Sequence, residues 1–289
     1  MSAPKKSDGQ TVPLTKSFWM APQSKGSLAK SLLASAGVEW LQYAGVPFRA
    51  LDSDAINQSL FKRYPKVTRF RDVTSENSFG VMLDQLKSLP ESVVIFDTPS
   101  QFTENFLKHA EHFQMLPMFA RRGIKLVLWI FTSDDEDAKR SASDVLEYFE
   151  REDNRAFAAW VRYVMVDNPR HFSSEDFKNL GLYEHLVGLG TPTIELPWIN
   201  KVSKQAWEGL EEKDGGYLSM GEAIRRPDLS DVAQLELSGF LDRMFVQFEN
   251  HAVAILPDPA LIKNKVVRVK DRTPLQRTDR FKSRFMAKK

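Results

Sequence analysis

The sequence predicts an α/β protein: a doubly wound, mostly parallel sheet flanked by helices. Short apolar runs at 18–20, 48–51, 93–96, 126–131, 161–166 and 193–196 lack strict alternation, the pattern of strands buried on both faces. Helical patterns fall between them, at 28–36, 79–89, 104–122, 136–151 and 175–180. A chain of 289 residues, 42% of them hydrophobic, can bury one large core.

Residues 1–16 are polar, carry Pro4, Gly9 and Pro13, and show no apolar period, which predicts a disordered lead-in. The first strand then leads into Ser24-Lys25-Gly26-Ser27-Leu28-Ala29-Lys30-Ser31 and an apolar helix. A loop at such a junction aims backbone N–H groups and a helix N-terminus at phosphate, while a lysine and a hydroxyl reach the β/γ-phosphates and Mg²⁺. The same residues also read as a polar helix start with Ser27 as N-cap.

The second strand ends in Leu51-Asp52-Ser53-Asp54, placing two carboxylates at the carboxyl edge of the sheet, where open α/β sheets bind ligands. The run Val93-Val94-Ile95-Phe96 is followed by Asp97-Thr98-Pro99, an apolar strand ending in an acid suited to hold Mg²⁺ through water. Either alone can be a strand end with a capping Asp. The order and spacing of the three segments point to one nucleotide site.

Beyond the strands, residues 211–216 read as a turn. A long amphipathic pattern over 230–253, with Val232, Leu235, Phe240, Met244 and Phe248, predicts the closing helix before Pro257. The expected organisation is a lead-in at 1–16, a nucleotide-binding domain at 17–257 and a basic tail at 258–289.

Composition excludes several chemistries. With no cysteine, disulfides, thiolate zinc sites and cysteine nucleophiles are ruled out. No stretch approaches the roughly 20 apolar residues of a spanning helix, and Lys5 and Lys6 precede no apolar h-region, so a cytoplasmic protein is expected. His109, Glu111 and His112 lack metal-binding helical spacing and read as a solvated helix face. Ser100 lacks a nucleophile elbow. Asp134, Asp135, Glu136 and Asp137 read as a charged helix start, and Trp160, Trp198 and Trp207 as core or interface aromatics.

The total charge of +2 conceals an asymmetry: residues 263–289 hold eleven Lys/Arg against two Asp, a net of +9, leaving −7 for the remainder. Pro274 and the β-branched Val266, Val267 and Val269 disfavour a compact membrane-binding helix. The tail therefore reads as a DNA contact, with a solvated tail, or one docked on the acidic body, as the alternative.

With these motifs in place, the chain resembles the ParA/MinD family, whose deviant Walker A motif runs Lys-Gly-Gly-x-Gly-Lys-Ser/Thr. Lys25 falls at the signature lysine, Gly26 at the first glycine of the pair, Lys30 at the phosphate lysine and Ser31 at the Mg²⁺ ligand. Asp52 and Asp54 match the family's Asp-x-Asp segment, and Asp97 its Walker B acid. The resemblance spans about residues 16–256. Within the family the chain is most similar to TraL-like conjugative transfer proteins, through residues 51–58, a strand at 69–73, and Asp167-Asn168-Pro169 with Phe172 and Phe177 beyond.

The resemblance implies ATP held with Mg²⁺ by Lys25, Gly26, Ser27, Leu28, Ala29, Lys30 and Ser31, with Asp52 and Asp97 also at the metal. It implies that Asp54 orients the attacking water, Lys25 reaches a partner subunit's phosphates in a nucleotide-dependent homodimer, and Asn168 reads the adenine. Asn168-Pro169 equally reads as a turn. The implied function is a ParA-like switch in plasmid or DNA transfer, partition or positioning, with a conjugation or partition protein as partner. Three family glycines are replaced, by Ser24, Ser27 and Ala29, which weakens the phosphate cradle and raises the alternative of a non-hydrolysing adaptor. A small-molecule kinase is a third reading, without a substrate motif to support it.

Overall fold

The computed structural model describes residues 12–73, 75–168, 181–210 and 216–266. Seven strands form one parallel sheet in the order β3-β2-β4-β1-β5-β6-β7. They are β1 (Lys16–Met20), β2 (Phe48–Asp52), β3 (Thr68–Phe70), β4 (Val93–Asp97), β5 (Ile124–Phe131), β6 (Val161–Asp167) and β7 (Thr193–Glu195). The doubly wound α/β fold predicted from the sequence is present, with every strand pair parallel.

The missing alternation has a direct cause: both faces of the sheet are covered. Phe18 and Met20 join Phe96, Phe106 and Phe119 on one face. Trp19, between them in sequence, points to the other and packs with Trp40, Trp129 and Phe248. Its ring centroid lies 5.5 Å from that of Trp129 and 6.2 Å from that of Trp40. Successive side chains of a strand point to opposite faces, so a central strand apolar on both sides reads as a continuous run.

The helices are α1 (Lys30–Ala44), α2 (Ser59–Arg63), α3 (Glu76–Ser88), α4 (Thr103–His112), α5 (Met115–Arg122), α6 (Glu136–Glu150), α7 (Leu182–Gly188), α8 (Lys201–Glu208), α9 (Met220–Ala223), α10 (Asp231–Asn250) and α11 (Ala252–Ile255). A 3₁₀ segment spans Glu152–Trp160. The closing helix is α10, capped by the Ser230 side chain, which accepts from the Ala233 N–H. Asp135, in the acidic run, caps α6 in the same way.

Several expectations are corrected. The helix expected over 104–122 is two helices, because Pro117 cannot follow Phe113 by four positions without a clash at its carbonyl. The chain turns at Gln114 (φ 48°), where Pro117 falls in the first turn of α5 and needs no donor. Phe113 packs over Gly80, where an added Cβ would lie 2.8 Å from the ring. The strand expected at 69–73 is Thr68–Phe70.

His109 is no solvated residue: it is buried, its ring stacks 5.1 Å from Phe79, and burial lowers its pKa. Glu111 and His112 pair instead with Arg151 and Glu76, and among the described residues no cluster of His, Asp and Glu could hold a metal. Trp207 is core, while Trp198 is more than half exposed.

Residues 258–266 do not leave the body. The Lys263 N–H donates to the Ala44 carbonyl at 2.8 Å, Asn264 Nδ2 to the Tyr43 carbonyl at 2.9 Å, and Val266 is buried. Among the described residues no helix is long and apolar enough to cross a membrane. The expected helix at 175–180, Pro169, Phe172 and Phe177, the turn at 211–215, the lead-in at 1–11 and residues 267–289 lie outside the described residues.

Candidate nucleotide site

The carboxyl ends of β1, β2, β4 and β6 and the segment after β7 converge on a cleft of about 400 Å³. Among its lining residues are Gly26, Ala29, Lys30, Ser31, Asp54, Thr98, Asn168 and Pro197. Thus three segments far apart in sequence, those around residues 30, 54 and 98, meet where a parallel sheet of this order binds ligands.

The loop after β1 is tied down from several sides. Gln23 Nε2 donates to the carbonyls of Phe131 (3.0 Å) and Ala138 (3.1 Å), and its Oε1 accepts from the Phe131 N–H at 2.6 Å. The Thr98 and Thr103 hydroxyls donate to the carbonyls of Ala21 and Pro22, each at 2.6 Å. Ser24 Oγ donates to Thr103 Oγ1 at 2.7 Å, and the Gln101 N–H to the Ser24 carbonyl at 2.7 Å. The loop after β4 is therefore clamped to the loop after β1.

Gly26–Leu28 forms one 3₁₀ turn, and α1 starts at Lys30. The N-cap position of the helix falls at Ala29, not at Ser27; the Ala29 side chain makes no capping bond and its backbone is left-handed (φ 69°, ψ 31°). Of the replaced glycines, Ala29 thus occupies a conformation that a Cβ disfavours by roughly 1–2 kcal/mol. Ser24 is not in that region.

Lys30 opens α1 with its amine turned into the protein; the residue is 6% exposed. Nζ donates to the carbonyls of Gln23 at 2.5 Å and Pro99 at 3.1 Å. Burial brings its pKa down to about 8, against the attraction of Asp97 and Asp54.

Asp97 ends β4 and is 2% exposed. Neither carboxylate oxygen completes a hydrogen bond of standard geometry. Burial and repulsion by Asp52 push its pKa up to about 7, opposed by the Ser31 hydroxyl and the Lys30 charge. An unpartnered carboxylate beside a serine hydroxyl is the donor set a hydrated Mg²⁺ accepts. The residues therefore fit the ion, with Ser31 and Asp97 to hold it.

Asp52 stands differently. Oδ1 accepts from the Asp54 N–H at 3.0 Å and Oδ2 from the N–H groups of Leu60 (3.0 Å) and Phe61 (2.9 Å). Three backbone donors tie it to the β2–α2 loop. Asp54 is folded onto the same loop, accepting from the N–H groups of Ile56 and Asn57 and from Asn57 Nδ2 at 2.9 Å. Its partial burial would raise its pKa, but these bonds and the Lys30 charge hold it below the usual range.

Lys25 is paired within its own chain, Nζ lying 2.7 Å from Asp135 Oδ2. Asn168 is 1% exposed and its Nδ2 donates to the Leu28 carbonyl at 3.4 Å, so it reaches the 3₁₀ turn of the phosphate loop. Leu196, Pro197 and Ile199 add an apolar wall beside it.

Sequence reasoning missed that wall and also Arg63, Lys204 and Trp207. Pro197, directly after a strand, was the available signal for the first. Nothing in the spacing of the others marks them.

No protein-family model matches the chain. Over 119 residues it is 24% identical to Protein MobD of Acidithiobacillus ferrooxidans, a match covering 40% of this chain and 52% of that protein. The chain thus spans about half the length of the curated relative it matches. Among solved structures it is similar to the MinC:MinD cell division protein complex of Aquifex aeolicus, with TM-score 0.45, 14% identity, and 79% of this chain and 94% of that one covered. It is also similar to the signal recognition particle receptor FtsY of Elizabethkingia anophelis, with TM-score 0.42, 11% identity, and 80% and 65% covered.

Proposed function

We propose that the chain is a ParA-like nucleotide-dependent switch that binds ATP with Mg²⁺ and hydrolyses it slowly or not at all. One observation carries this reading: a buried lysine amine at the first turn of α1 lies in the field of a buried, unpartnered carboxylate at the end of β4. The amine is also held by the Gln23 and Pro99 carbonyls, but the acid has no such partner, and a buried unpaired acid costs free energy.

The chain's own groups would act in concert. Lys30 exchanges the Gln23 and Pro99 carbonyls for phosphate oxygens, and the amide groups of the α1 start face the same anion. Ser31 and Asp97 hold the metal, which shields phosphate charge when bound. Asn168 and the 196–199 wall take the base. Asp54 orients water once its bonds to Asn57 loosen.

In the dimeric state of such a switch, Lys25 leaves Asp135 for the partner's phosphates. A role in DNA transfer, partition or positioning is supported by the family resemblance and the MobD similarity, with DNA held by the basic tail and a conjugation or partition protein as partner. A cytoplasmic location fits this role.

The adaptor reading, without hydrolysis, is favoured by two observations: the left-handed Ala29 and the engaged Asp54. Calorimetric titration with ATP and Mg²⁺ tests the proposal, with Lys30→Ala as control. Binding lost in the variant is expected. Parent affinity in Lys30→Ala would remove the phosphate loop from the function.

A further inference from the structure

The cations that line the nucleotide cleft are Lys30, Arg63 and Lys204, and they differ in what answers their charge. Lys30 donates to the Gln23 and Pro99 carbonyls and lies in the field of Asp97 and Asp54. Lys204 Nζ lies 3.5 Å from the carboxylate of Glu208. Arg63, the last residue of α2, has no carboxylate within ion-pair distance among the described residues. Glu208 attracts it only from further away.

The fold nevertheless aims this side chain. At the start of α2, Asp52 accepts from the N–H groups of Leu60 and Phe61. Ser59 and Arg63, four positions apart, therefore share one face of the helix, and both line the cleft. At the other end the guanidinium lies 4.4 Å from the Trp207 ring and 5.5 Å from that of Tyr217, and Nη1 donates to the Leu218 carbonyl at 3.1 Å. Trp207 is itself fixed: it is buried, and its Nε1 donates to the same carbonyl at 3.1 Å.

A guanidinium carries several N–H donors in a planar fork, and among the described residues the Nη1 bond to Leu218 is the one that Arg63 makes. The aromatic rings take up its flat faces, so the N–H edge is what it has left to offer a ligand. Burial lowers its pKa, yet a guanidinium stays charged at neutral pH. Lys25 is not among the lining residues and is held by Asp135, so within one chain Lys30 and Arg63 are the cations left to share an incoming anion.

We propose that Arg63 is a further phosphate-binding residue of this site, a guanidinium from the same chain that meets the phosphate oxygens of the nucleotide from the α2 side of the cleft. The assignment rests on the nucleotide reading above and adds a residue that lies outside the motifs behind it. A side chain already stacked in place loses little freedom on binding, and its fork matches phosphate geometry with charge-assisted hydrogen bonds. An adenine ring would call for the flat face that Trp207 already covers.

The test is calorimetric titration of the full chain, in Mg²⁺, with ATP and separately with tripolyphosphate, which carries neither base nor sugar. Arg63→Gln should weaken both ligands roughly tenfold, the effect of losing one charge-assisted contact. Arg63→Lys, which keeps a point charge without the fork, should lose only about threefold.

Parent ATP affinity in Arg63→Gln, alongside lost binding in Lys30→Ala, overturns the Arg63 contact and leaves the nucleotide reading standing. A loss for ATP without a loss for tripolyphosphate moves Arg63 to the nucleoside and overturns the phosphate contact. Equal losses in the Lys and Gln variants would show that the side chain acts through its packing on Trp207, and they overturn it as well. A parent chain that binds neither ligand removes the nucleotide reading and this contact together.

Discussion

Asp52 and Asp97 stand at matched positions on neighbouring strands β2 and β4, yet their carboxylates have opposite fates. Asp52 accepts three backbone N–H groups, whereas neither oxygen of Asp97 completes a hydrogen bond. The negative charge of the first helps to keep a proton on the second, near pH 7.

That proton sets a pH dependence. Because Asp97 is raised above its unfolded value, the folded chain without metal is stabilised below about pH 4 and loses this contribution as pH rises through about 7. Mg²⁺ competes with the same proton, so Mg²⁺-dependent ATP affinity should climb up to tenfold per unit below pH 7 and flatten above it. Asp97→Asn should remove both the Mg²⁺ requirement and the slope. Calorimetry across that range measures it, and a slope surviving in the Asn variant would assign the proton elsewhere.

Ala29→Gly should relieve the left-handed strain, offset in part by the extra chain entropy of glycine, for a net gain of up to about 1 kcal/mol. Thermal unfolding should shift upward by a few degrees, and ATP affinity should rise by up to about tenfold as the backbone closes on phosphate. Gly at Ser24, where φ is ordinary, should do neither. Equal effects at the two positions would show that the left-handed residue is not the defect.

Asp54→Ala should leave ATP binding within a factor of a few while lowering hydrolysis by about a hundredfold or more, since its proposed work is on water. Size-exclusion chromatography with ATP should then show more dimer. Turnover at the parent rate would remove Asp54 from the water-orienting role.

Removing residues 267–289 should abolish most of the salt dependence of DNA binding while leaving thermal stability unchanged. The cut falls after Val266, because Lys263 to Val266 pack on α1 and the helix beside it. The same salt slope in the truncated chain would exclude the tail as a phosphate contact.

Much of this was legible locally. Strands buried on both faces leave continuous apolar runs, and the motif residues 30, 54 and 97 were visible because each sits at a fixed offset from a strand. Sequence also marked the loop glycines as replaced, and the acidic run before α6 as a helix start.

Contacts across the chain decided the features that local pattern could not give. Which replaced glycine matters depends on φ at Ala29, and φ is fixed by where α1 must begin relative to β1. Which acid is left without partners depends on the α2 N–H groups reaching Asp52 and not Asp97. Arg63 joined the site because Trp207 and Tyr217, over a hundred positions away, cover its guanidinium. Periodicity and spacing record which face a residue takes and which residue comes next after a strand. The partners of a buried charge are set by segments distant in sequence, so only the tertiary structure could separate the structural acid from the open one.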